Sequence, residues 1–123
     1  MKKLFIILAI LATLSGYSQS KKKYLIESTL KVTEAAITEL DQAQLPPEGE
    51  LYLLKLENGI TGEYSFDITI YEKGKVASVF VKGKKGGTIQ YQNLIKDCLK
   101  GFKFNFKMPK GKKYKFEYTV IFN

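Results

Sequence analysis

Alternation with a period of two is the feature that most narrows what this chain can fold into. Phe66, Ile68 and Ile70 alternate with Asp67, Thr69 and Tyr71, and Tyr114, Phe116, Tyr118, Val120 and Phe122 alternate with Lys113, Lys115 and Glu117. Successive side chains of a strand point to opposite faces, so each run reads as a strand with one apolar stripe that must face a core or a partner. Glu72-Lys73-Gly74-Lys75 is a tight turn, and Val76 to Val81 returns as a strand rich in β-branched residues, which makes residues 65–81 a hairpin. Phe102, Phe104 and Phe106 alternate with Lys103, Asn105 and Lys107, and Met108-Pro109-Lys110-Gly111 turns the chain into a final strand at 113–122.

The period changes to a helical one between these strands. Leu94, Ile95, Cys98, Leu99 and Phe102 paint one helical face, so residues 89–100 read as an amphipathic helix. Thr88 is placed to cap it, and Gly101 to stop it in a left-handed conformation. Upstream, Leu30, Ile37, Leu40 and Ala43 or Gln44 predict a second helix over about 28–45, ended by Pro46 and Pro47. Glu50 to Leu56 is apolar enough for a strand, followed by an Asn58-Gly59 turn and a connection from Ile60 to Glu63. The expected fold is therefore α+β: a small antiparallel sheet, hairpin 65–81 plus strand 113–122, packed by helix 89–100, with an additional N-terminal helix.

The N-terminus predicts export. Lys2 and Lys3 precede the apolar run Leu4 to Leu14, and Ser15 to Ser18 offer small residues for cleavage before Gln19. That run is too short for a hydrocarbon core that needs about 20 apolar residues, so the mature chain is expected to carry no transmembrane span. Residues 1–18 then form the signal peptide, 19–27 a flexible basic leader, and 28–123 one domain. The expected location is the periplasm, with secretion or outer-membrane association as alternatives. Cys98 is the single cysteine, expected to be a small buried hydrophobe rather than half of a disulfide or a reactive thiol.

Every basic residue is lysine; the chain has no arginine, histidine or tryptophan. Without imidazole there is no His-dependent triad and no ordinary zinc site, and without guanidinium there is no bidentate phosphate clamp. Glu48, Glu50 and Glu57 are carboxylates that could form an acid/base pair only if they flanked one bond, and solvated surface acids are the commoner explanation. The loop Gly83 to Thr88 lacks the Gly-Lys-Ser/Thr triplet of a phosphate cradle. Lysines interleaved with Phe104, Phe106, Tyr114 and Phe116 superficially suit single-strand stacking, but these aromatics occupy positions a small sheet needs for its core. The expectation is no enzyme, no cofactor, no metal and no nucleic acid.

Charge is uneven along the chain. Residues 19–72 carry five lysines against ten carboxylates, whereas 73–123 carry 13 lysines against Asp97 and Glu117. Such asymmetry marks either a solvated surface or a basic face for an anionic partner, for which Lys84, Lys85, Lys110, Lys112 and Lys113 are the candidates.

The order of these pieces resembles a known family. Phe66-Asp67-Ile68-Thr69-Ile70, the strand after Gly74, a helix ending in Phe102-Lys103-Phe104, the Pro109-Lys110-Gly111-Lys112 turn and the strand closing at Phe122 are similar to the C-terminal domain of TonB, the periplasmic energy transducer. The resemblance covers about residues 64–123. It implies a small sheet packed against helices that meets a protein partner by adding a strand to a sheet edge, which here would be Tyr114, Phe116, Tyr118, Val120 and Phe122. With three prolines and a short apolar run, the chain is expected to keep the binding mode without energy transduction. The function expected is an exported, non-enzymatic interaction module for an envelope protein, the alternative being a binder of anionic envelope polymer or lipid.

Overall fold

The structure is a computed structural model that describes residues 23–123; the expected signal and residues 19–22 of the basic leader lie outside the described residues. Eight elements follow in order: β1 (Tyr24–Leu25), α1 (Thr29–Ala43), α2 (Glu50–Asn58), β2 (Gly62–Tyr71), β3 (Lys75–Lys85), α3 (Ile89–Lys100), β4 (Phe106–Lys107) and β5 (Lys113–Phe122). The sheet is antiparallel in the order β3-β2-β5, and β1 and β4 form a separate parallel pair. The fold is thus α+β, with three helices among the described residues.

The alternation does what a half-buried sheet requires. Tyr64, Phe66, Ile68 and Ile70 of β2 are buried, as are Phe116, Tyr118, Val120 and Phe122 of β5, and the residues between them are half-buried or exposed. Helices cover only the apolar face. α1 contributes Val32, Ala36, Leu40 and Ala43, and α3 contributes Ile95 and Leu99, all to one core cluster. Burying one such leucine stabilises the fold by roughly 2 kcal/mol. Leu30, by contrast, is 67% exposed and Ile37 only half-buried. The buried stripe of α1 is therefore displaced from the expected one, running through Val32, Ala36, Leu40 and Ala43.

Thr88 does cap α3, its hydroxyl accepting from the Tyr91 amide at 3.0 Å. The helix ends at Gly101 with φ −92°, not in the left-handed conformation expected; Gly101 instead donates back to Asp97 and Cys98 carbonyls. Left-handed glycines stand just before the helix, at Gly86 and Gly87. A Cβ on Gly87 would lie 1.8 Å from Tyr64 Oη and 2.6 Å from the Thr61 carbonyl, so only glycine admits this close approach of the loop to the start of β2. β3 extends to Lys85, taking in the first half of what reads in the sequence as a loop.

Two expectations are corrected. Glu50 to Leu56 is not a strand but most of α2: Leu51 is buried, Leu54 one turn later packs on the core, and Gly59 ends the helix in the left-handed conformation at φ 67°. Leucine, glutamate and lysine favour helix, and the Leu53-Leu54 break in alternation is the helical phase itself. The flexible leader also ends earlier than residue 27. Tyr24 and Leu25 pair with Phe106 and Lys107, Ile26 N donates to the Lys107 carbonyl at 2.9 Å, and Ile26 is buried. Only Phe106–Lys107 of the Phe102–Lys107 alternation becomes a strand, yet Phe102, Phe104 and Phe106 are all buried, with ring centroids 4.8 and 5.4 Å apart along the series.

Candidate functional site: an open sheet edge

A sheet in the order β3-β2-β5 has two edges, and their chemistry differs. β3 carries lysines and glycine at its outer end, and its pairing with β2 slips in register twice, between Ser65 and Phe66 and between Thr69 and Ile70. Its first residue is also covered, by a bridge from Lys75 to Lys103. Bulges, lysines and cover are the devices that discourage further pairing. β5 also carries lysines, Lys113 and Lys115, but none of the bulges: its ten residues pair with β2 in one unbroken register, from Gly62 opposite Phe122 to Tyr71 opposite Lys113, and it contains no proline.

The turn between β2 and β3 decides which β5 peptide groups face outward. Gly74 N donates to the Tyr71 carbonyl at 2.8 Å, a three-residue turn with Gly74 at φ 79°. Phe104 N donates to the Gly74 carbonyl at 2.9 Å, straddling the Lys75–Lys103 bridge, so the peptide groups of Lys75 turn toward Tyr71. Tyr71 accordingly points its own groups at β3. Alternate residues of a strand bond to opposite neighbours, so Ile70, Ile68, Phe66, Tyr64 and Gly62 bond to β5 through Tyr114, Phe116, Tyr118, Val120 and Phe122. Lys113, Lys115, Glu117, Thr119 and Ile121 then present amide and carbonyl to the open edge. Among the described residues nothing hydrogen-bonds to them there.

This placement reverses the set of edge residues expected from the resemblance. Phe116, Tyr118, Val120 and Phe122 are buried side chains and Tyr114 is half-buried, and all five spend their peptide groups on β2. The residues free to pair are the intervening ones. Their side chains lie on the uncovered sheet face, where Thr119 shares a hydrogen bond with Ser65 at 2.8 Å, Glu117 lies 3.8 Å from Lys82, and Ile121 is 55% exposed.

Polar contacts hold β5 against α1. Tyr118 Oη donates to Asp41 Oδ1 at 2.7 Å and accepts from Gln44 Nε2 at 2.5 Å. Burial, reinforced by the hydrogen bond to Asp41, holds the phenol above its ordinary range. Glu39 on the same helix accepts the Asn105 amide with both carboxylate oxygens, and burial raises its carboxyl despite that bond and despite Lys23.

The anionic-surface candidates do not converge. Lys84 and Lys85 sit where β3 pairs with the start of β2, whereas Lys113, with Lys110 and Lys112 before it, lies at the opposite end beside Tyr71. At about 3.4 Å per residue these ends are roughly 30 Å apart. Glu48 and Glu50 line a shallow groove with Glu39, and Glu57 lies two helical turns along α2, about 10 Å from Glu50. Among the described residues no cluster of carboxylate or cysteine ligands could hold a metal ion, and no helix is long and apolar enough to cross a membrane. Comparison with known proteins finds no match: no family model, no curated protein and no solved structure corresponds to this chain.

Proposed function

We propose that this chain is an exported, non-enzymatic envelope protein that holds a protein partner by accepting a strand along β5. One observation carries the reading: β5 offers five residues whose amides and carbonyls point away from the sheet, in an unbroken register, with nothing bonded to them among the described residues. A partner strand would gain main-chain hydrogen bonds there, and Lys115, Glu117, Thr119 and Ile121 would discriminate among sequences through the uncovered face. The TonB-like order of residues 64–123 supports the same mode, as binding without energy transduction.

The test separates backbone pairing from side-chain contact. Ile121→Pro deletes an outward amide while leaving the β2 ladder its bonds, and Ile121→Val keeps the amide. Tagged protein recovered from envelope extracts should retain its partner with Ile121→Val and lose it with Ile121→Pro or Thr119→Pro, at unchanged circular dichroism. Equal recovery with proline and valine would contradict strand addition.

A further inference from the structure

Seven of the 13 lysines of the C-terminal half gather at one end of the sheet. Lys73 lies in the β2–β3 turn, and Lys75 and Lys113 flank Tyr71 across the sheet end. Lys103 bridges Lys75, and Met108 N donates to the Glu72 carbonyl, which brings Lys107 to the same turn. Gly111 N donates to Glu72 Oε2 at 2.7 Å, which tethers Lys110 and Lys112 beside it. Lys23 completes the group, its Nζ donating to the Lys73 carbonyl at 2.8 Å. Burial lowers the Lys23 ammonium pKa, the Glu39 carboxylate opposes that lowering, and Lys103 and Lys75 add to it, which places Lys23 within reach of all three charges. The one ion pair among the described residues, Lys82–Glu117, lies elsewhere; Glu72 and Glu39, which accept backbone amides, offset part of this positive charge but leave the group with a clear excess of lysines.

This basic pole has an apolar centre. Leu25, 50% exposed, shares a surface groove of about 370 Å³ with Met108 and Pro109, rimmed by Lys73, Lys107 and Lys110 and by the single carboxylate Glu72. Lysine is a hydrated point charge suited to diffuse attraction rather than to stereospecific clamping. An exposed leucine within a ring of lysines fits a surface that is anionic outside and apolar just beneath.

We infer that the pole around the β2–β3 turn docks on an anionic lipid bilayer, with lysines among the headgroups and Leu25 entering the boundary below them. The site meets the β5 edge only at Lys113, at the opposite end of the strand from Ile121, so Ile121→Pro leaves it intact and failure of either idea is visible alone.

Flotation of the purified protein with vesicles of phosphatidylglycerol and phosphatidylcholine tests this. Neutralising Lys73, Lys110 and Lys112 together to Gln should weaken binding roughly 100-fold, from three lysines each contributing at an anionic surface. Neutralising Lys82, Lys84 and Lys85, the same loss of charge at the far end, should weaken it by less than about threefold, because that end lies several Debye lengths away. Leu25→Ser should cost roughly tenfold through lost apolar burial. Equal losses from the two triple variants would reduce the effect to net charge and overturn the inference, as would equal binding to pure phosphatidylcholine. If Leu25→Ser binds vesicles as well as the parent while soluble polyglutamate competes fully, the ligand is an anionic polymer and the lipid assignment falls.

Discussion

Cys98 illustrates how position rather than residue type sets chemistry. It lies half-buried on α3 beside the core, and burial, with a smaller contribution from Glu50, pushes its thiol from 9.0 up to about 11. The neutral thiol is therefore the form at physiological pH, and neutral thiols are poor nucleophiles. A folded-state pKa above the unfolded value means that the associated stability is complete below about pH 9 and is lost as pH rises through about 11. Native protein should react with an aromatic disulfide reagent at pH 8 far more slowly than denatured protein. Cys98→Ala should remove part of the fall in stability between those pH values, and rapid native labelling at pH 8 would contradict the burial. The place of Cys98 beside the core was legible in the sequence because Leu94, Ile95, Leu99 and Phe102 share its helical face, although the side chain is half-buried rather than buried as expected. The edge residues were not, because side-chain alternation gives two faces of a strand but says nothing of which way its peptide groups point. That direction follows from Gly74 N on the Tyr71 carbonyl and Phe104 N on the Gly74 carbonyl, contacts set by the turn and by a segment distant in sequence.

At the scale of elements, periodic runs translated directly into structure: the hairpin, α3 and β5 stand where alternation and helical spacing put them. The miss was α2, where Leu51-Tyr52-Leu53-Leu54 fits neither period cleanly over its nine residues. The two assignments make opposite demands on neighbouring leucines. In a strand Leu51 and Leu53 would share a face, whereas in α2 Leu51 is fully buried and Leu53 is 46% exposed. Leu51→Ala should destabilise by about 2–4 kcal/mol in urea unfolding, and Leu53→Ala by less than about 1 kcal/mol. Comparable losses at both positions would favour the strand. β1 escaped the sequence for a different reason: two residues beside a lysine run carry no period, and only the long-range pairing with Phe106 and Lys107 makes them a strand.

Viewed whole, the molecule separates its surfaces. Helices close one face of the sheet, the other face is polar except for exposed Phe80 and Ile121, most lysines of the C-terminal half gather at the β2–β3 turn, and β5 offers its length along one side. The charge asymmetry was visible in the sequence, but its division between two sheet ends roughly 30 Å apart depends on antiparallel topology. Residue-resolved amide hydrogen exchange on the free protein reads the unpaired β5 edge directly. Amides of Tyr114, Phe116, Tyr118, Val120 and Phe122, bonded to β2, should be protected toward the global stability, while those of Lys115, Glu117, Thr119 and Ile121 exchange at least about 100-fold faster. Equal protection of both sets would mean that the edge is already covered, and would contradict the account.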